Sequence, residues 1–182
     1  MGSQAEQLVS WWVSSTGTHR AEPLGTSDGT AYEEGEEFAS HFQAHREREG
    51  EGKCPDILVI DAYLHVPVFV VEVKFSNQSA KTPRMGVILK DEELGPLHLW
   101  RRENGLPILI AQVFTDAVFV ISYERFLWRV DHGLAREIVY DKTNKKTWIV
   151  NLNAANPVMM IAHGKWATLL APEVVERMLE SY

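Results

Sequence analysis

The 182-residue sequence has a single cysteine, Cys54, so no disulfide can form within the chain, and a reducing, intracellular setting is expected. Long hydrophobic runs are also missing. The longest, at residues 66–71 and 106–111, are far short of the ~18–20 residues that a membrane span requires. The N-terminus shows neither the basic flank nor the cleavable apolar segment of a secretory leader. Together these absences predict a protein of the cytoplasm or nucleoid, with no membrane partner. Positive charge is scarce as well: 18 Lys and Arg stand against 25 Asp and Glu, a net charge of -7. That balance excludes a surface coated for nucleic acid, although a local basic patch is compatible with it. No period of 20–50 residues recurs, which excludes solenoids and propellers.

What is present is a chain with 45% hydrophobic and 24% charged residues, the composition of one globular domain spanning 1–182 with a sizeable core. Leu8, Trp11, Trp12 and Ser15 recur at helical spacing, predicting a helix over residues 4–15. The polar, Gly-rich stretch 16–29 reads as loop. Thr30 and Glu33 form a capping box that starts a helix running from 31 to about 48, ended by Gly50 and Gly52. From Pro55 the texture changes to β-branched and aromatic residues, predicting strands at 57–61 and 66–75 joined by a short turn. The second strand is apolar on both faces until Glu72, as expected of a strand covered on both sides. A polar loop over 75–85 precedes a helix within 96–103 that has Pro96 in its first turn and Gly105 just past its end. Strands follow at 108–114 and 117–122, then a hairpin of 136–140 and 147–152, and a final helix opened by Pro172 with an apolar stripe of Val174, Val175, Met178 and Leu179. This order predicts an α/β fold, a mixed central β-sheet flanked by helices.

Three residues near the ends of the first two strong strands carry the candidate chemistry. Pro55-Asp56 opens one strand, and Glu72-Val73-Lys74 closes the next. Side chains at i and i+2 share a strand face, so Glu72 and Lys74 point the same way, and antiparallel pairing can bring Asp56 beside them. Carboxylate oxygens are hard ligands suited to Mg²⁺, which retains waters and completes its shell from substrate phosphate. A lysine nearby can position water or stabilise charge on phosphorus. The preceding helix offers Glu33, Glu34, Glu36 and Glu37. At about 100° per residue, only Glu34 lies on the apolar face with Ala31, Gly35, Phe38 and Phe42. A carboxylate there needs a partner, because burial without one is costly.

At these residues the chain resembles the PD-(D/E)xK nuclease superfamily, including its Holliday-junction resolvases and small restriction endonucleases. The match is Pro55-Asp56, then Glu72-Val73-Lys74, after an acidic helix, and it spans roughly 30–122. Glu51-Gly52-Lys53 also spells the last motif, but in a Gly-rich loop without a strand. The resemblance implies a restriction-endonuclease-like αβββαβ core over 30–122, preceded by the helix and loop of 4–29 and followed by the hairpin and helix of 123–182. It further implies Mg²⁺-dependent hydrolysis of phosphodiester bonds, with Mn²⁺ able to substitute. Asp56, Glu72 and Glu34 would be metal ligands and Lys74 the catalytic lysine.

The substrate expected is DNA, with RNA cleavage, or a non-catalytic binding or assembly module of the same fold, as alternatives. Lys81 and Arg84 in the loop after the catalytic strand, with Arg101 and Arg102 on the next helix, are the expected phosphate contacts. Cutting both strands of a duplex favours a homodimer. Cys54 reads as a small core residue, His41 and His45 as ordinary helix residues, and the six tryptophans as core or dimer contacts rather than base-stacking surfaces. Gln112, polar within an apolar strand, is either a contact to the attacking water or a partner for neighbouring backbone.

Overall fold

The computed structural model describes residues 2–24, 54–140 and 145–180. The helix expected over 31–48, with Glu34, His41 and His45, the Glu51-Gly52-Lys53 loop and the hairpin link at 141–144 lie outside the described residues. In chain order the elements are α1 (Gly2–Ser14), β1 (His19–Pro23), β2 (Ile57–Asp61), β3 (Pro67–Phe75), β4 (Gly86–Lys90), α2 (Asp91–Asn104), β5 (Ile108–Val113), β6 (Ala117–Ser122), α3 (Tyr123–Asp131), β7 (Ala135–Tyr140), β8 (Lys145–Asn151), a 3₁₀ turn (Leu152–Ala154), β9 (Asn156–Ala162), β10 (Lys165–Thr168) and α4 (Pro172–Glu180).

Among the described residues the strands form two sheets: a seven-stranded sheet in the order β1-β2-β3-β5-β6-β9-β10, and a three-stranded sheet in the order β4-β8-β7. In the large sheet β3 and β5 run parallel, while its other neighbours are antiparallel. A parallel pair needs a long crossover. Here the loop after β3, then β4 and α2, make it, so the small sheet and α2 are carried onto one face of the large sheet.

Alternation in β3 and β5 decides which side chains meet which layer. Val70, Ile108 and Ile110 face α2, α3 and the small sheet, packing with Leu89, Leu97, Trp100, Tyr123 and Phe126. Phe69, Val71, Leu109, Ala111 and Val113 face the other way, against Val9, Trp12 and Val13 of α1 and Val175 of α4. Each large apolar side chain so buried contributes about 1.5–3 kcal/mol. The Trp12 indole donates to the Leu170 carbonyl at 2.8 Å, joining the two ends of the described chain. Of the apolar stripe of the last helix, Val175 and Leu179 pack on the α1 side of the sheet, while Met178 is exposed. Cys54 is buried in the α2-side core.

Several expectations are corrected. The stretch 16–29 is not all loop, since β1 pairs with β2 from His19↔Asp61 to Pro23↔Ile57. Its polar letters hid the strand because among the described residues it is an edge with one neighbour, and two of its five residues are exposed. His19 is buried there, its Nε2 2.8 Å from Glu176 of α4 and its Nδ1 2.9 Å from the Thr18 hydroxyl. The central helix begins at Asp91, five residues before Pro96, which therefore sits in the helix rather than in its first turn. Gly105 does end it, with φ 72° and its N–H bonded to the Arg101 carbonyl at 2.8 Å. β4, α3, β9 and β10 complete the element list beyond the sequence expectation. β4 carries Gly86 because β8 comes very close there: a Cβ at that position would lie 2.3 Å from the Val150 carbonyl oxygen.

Candidate active site

The site lies where β2, β3 and β5 pass beneath the start of α2. Ile57 pairs with Val71, so Asp56, one residue earlier, falls beside Glu72. The Asp56 amide donates to the Val71 carbonyl at 3.0 Å, and its carboxylate accepts the Val73 N–H at 2.6 Å. Backbone on both sides therefore holds Asp56 against the end of β3. Glu72 and Lys74 share the face of Val70, toward α2. Glu72 is 1% exposed, and its Oε1 is 2.6 Å from Lys74 Nζ.

Two further residues converge here. Glu93, in the first turn of α2, places Oε1 2.8 Å from Lys74 Nζ, while its Oε2 accepts the Lys90 N–H at 3.0 Å. Gln112 of β5 stands in register with Lys74. Its Oε1 accepts the Ile88 N–H of β4 at 3.1 Å, and its Nε2 is a buried donor with no hydrogen-bond partner among the described residues. Gln112 is thus both backbone-satisfying and, through Nε2, still able to donate. Glu93 escapes sequence reasoning because Asp91, Glu92 and Glu93 look like the ordinary acidic first turn of a helix. The retrievable signal was the helix start itself: a Glu three residues beyond the cap position is the capping-box acceptor.

The loop between β3 and β4 is pinned rather than loose. Asp116 accepts from the Ser79 hydroxyl at 2.6 Å and the Ala80 N–H at 2.7 Å, and the Thr115 N–H donates to the Gln78 carbonyl at 3.0 Å. Burial disfavours the Asp116 anion, but these two hydrogen bonds and the Lys81 charge outweigh it and lower its pKa. Lys81 and Arg84 are exposed on this loop. Arg84 has φ 67°, and its carbonyl accepts from the Arg136 guanidinium at 2.9 Å. Arg101 and Arg102 sit in the last turn of α2, about 12 Å along the axis from Glu93 at roughly 1.5 Å per residue. Arg101 there pairs with Glu124. The structure therefore keeps Lys81 and Arg84 on the loop that leaves the site strand, and Arg101 and Arg102 at the opposite end of the helix.

The donor set fits a hard divalent ion. Asp56 and Glu72 contribute carboxylate oxygens, and Mg²⁺ is commonly held by one or two carboxylates with water and phosphate completing its shell. Among the described residues, no three His, Cys, Asp or Glu side chains group around one ion position. Other candidates lie elsewhere. His132 stacks on Trp128 at 4.3 Å, and Trp148 donates to Asp91 at 2.7 Å.

The succession β2, β3, β4, α2, β5 gives the chain a restriction-endonuclease-like fold. No protein-family model matches it, and no curated protein matches it in sequence. Among solved structures it is similar to D212, a nuclease from a fusselovirus, at TM-score 0.51 and 10% identity, covering 87% of this chain and 88% of that one. It is also similar to Hjc of Archaeoglobus fulgidus, a Holliday junction resolvase from an archaeal hyperthermophile. That match has TM-score 0.45 and 15% identity over 85% of this chain and 94% of that one. The fold assignment rests on the D212 match. No helix among the described residues is long and apolar enough to cross a membrane.

Proposed function

We propose that the chain is a Mg²⁺-dependent endonuclease that hydrolyses phosphodiester bonds in DNA, in restriction, recombination or repair, with Mn²⁺ able to replace Mg²⁺. The observation that carries this reading is the placing of Asp56 opposite Glu72 by the register of β2 and β3, with Lys74 Nζ 2.6 Å from Glu72. The likeness of the fold to a viral nuclease supports it. Asp56 and Glu72 would hold a divalent ion, which when bound would supply Lewis-acid polarisation of the phosphate and activation of water. The chain's own residues do the rest. The Val73 N–H orients Asp56, and burial restricts Glu72 to one geometry. Lys74 brings an ammonium to the charge that develops on the phosphoryl oxygens. Gln112 Nε2 is a donor held ready by the bond its carbonyl accepts from Ile88.

Glu34 is the proposed third acid. Lys81 and Arg84 are proposed to contact phosphates beside the cut, with Arg101 and Arg102 extending the track. We assign the active form as a homodimer, since a duplex cut needs two sites, and its location as intracellular.

The test is incubation of the protein with supercoiled, linear, branched and RNA substrates, with and without Mg²⁺. Metal-dependent cleavage of DNA that is lost in Lys74→Ala while Mg²⁺ still binds supports the assignment. Asp56→Ala should in addition lose most of the rise in melting temperature that Mg²⁺ gives the wild type. Glu34→Gln should weaken both metal binding and cleavage, and Glu36→Gln should spare them. Cleavage of RNA alone would change the substrate class. Absence of any metal-dependent cleavage would leave a binding module of nuclease fold.

A further inference from the structure

Glu93 meets two demands with its two carboxylate oxygens. Oε2 closes the start of α2 on the Lys90 N–H, and Oε1 reaches Lys74 Nζ at 2.8 Å. For the first demand a charge is unnecessary, because Gln serves a capping box as well as Glu does. Yet Glu93 is 8% exposed, and burying a carboxylate is costly unless a cation answers it. The charge is therefore spent on Lys74.

The lysine side chain has a flexible four-carbon stem and a strongly hydrated head group. On β3 itself its anchor is Glu72, which the proposed function assigns to the metal. Glu93 comes from a different element, and its two oxygens are engaged by the Lys74 ammonium and the Lys90 N–H, which puts it beside the lysine. We infer that Glu93 is a positioning residue that holds the Lys74 ammonium at the reacting phosphate while Glu72 serves the metal. This inference rests on the nuclease reading of the same site.

The two demands separate by substitution. Glu93→Gln keeps an acceptor for Lys90 but removes the charge on Lys74, and Lys74 still has Glu72. The variant should therefore melt close to the wild type. At saturating Mg²⁺ and DNA its cleavage rate should fall by about 10–10²-fold, the cost of a misplaced catalytic group, while DNA affinity measured in Ca²⁺ stays unchanged. A second readout needs no turnover: reductive methylation of Lys74, followed by mass spectrometry in Mg²⁺, should be faster in Glu93→Gln. Wild-type cleavage with an unchanged methylation rate in Glu93→Gln would overturn the inference. If the wild type cleaves nothing, the nuclease reading fails on its own, and equal methylation rates would then remove Glu93 as the holder of Lys74.

Discussion

Replacing Lys74 by Met removes one ammonium from between two carboxylates while keeping most of the side-chain volume. Nζ lies 2.6 Å from Glu72 Oε1 and 2.8 Å from Glu93 Oε1, and the three side chains are 20%, 1% and 11% exposed. Breaking a buried ion pair from one side costs about 3–5 kcal/mol, because charge stays behind in a poorly solvated place. Lys74 retains some contact with water, which puts the expected loss at the low end, about 3 kcal/mol. For a chain of this size that lowers the melting temperature by about 6–12 °C. Thermal and urea unfolding of Lys74→Met should show this loss, and Mg²⁺ should recover more stability in the variant than in the wild type, since the ion takes up charge at Glu72. Adding Glu72→Gln to Lys74→Met should recover part of the loss without metal, because it removes one of the stranded charges. A Lys74→Met protein as stable as the wild type, or one destabilised further by Glu72→Gln, would refute the buried three-group contact.

Three further outcomes follow from other parts of the molecule. Gly86→Ala should destabilise by about 1–3 kcal/mol or more, since its Cβ would lie 2.3 Å from the Val150 carbonyl oxygen and 2.6 Å from Ile149 Cγ2; an unchanged urea midpoint would contradict the close approach of β4 and β8. Burial pushes the Tyr123 phenol up from 10.0 to about 12, so the folded state holds this proton more tightly than the unfolded chain. Stability present below pH 10 is therefore lost as pH rises through about 12, and Tyr123→Phe, lacking the hydroxyl that donates to the Leu94 carbonyl, should show a flatter alkaline limb in pH-dependent unfolding. Identical alkaline slopes would remove Tyr123 from that limb. Substituting Lys81 or Arg84 by Ala should weaken DNA binding across sequences and make its salt dependence shallower by about one counterion per lost contact; an unchanged slope would place the DNA track elsewhere.

The strands of the site were legible because a strand writes its neighbours into its own letters. Continuous apolar residues from Val68 to Val71 announce a strand covered on both faces, and a period of two places Glu72 and Lys74 on one side whatever the rest of the chain does. Asp56 was reachable by the same logic, since a short hairpin return leaves few registers that keep both strands buried. Strand β1 was not legible: an edge strand has one neighbour, and its Arg20 and Glu22 satisfy each other in an ion pair instead of announcing a core. The start of α2 was misjudged because Pro96 is the residue most often found at a helix entrance. Here it lies in the interior of a helix whose entrance is made by Glu93.

The sequence by itself determined which residues bear charge, which strand faces carry them, and that Asp56, Glu72 and Lys74 are chemically suited to a metal and a phosphate. Only the tertiary structure decided what surrounds them. The parallel pairing of β3 with β5 forces a crossover, and that crossover lays α2 and β4 over the site, bringing Glu93 to Lys74 and the Ile88 amide to Gln112. Residues 19 and 38 positions beyond Lys74 share no local period with it, so their contact follows from chain topology and sheet packing, which no spacing along the chain encodes.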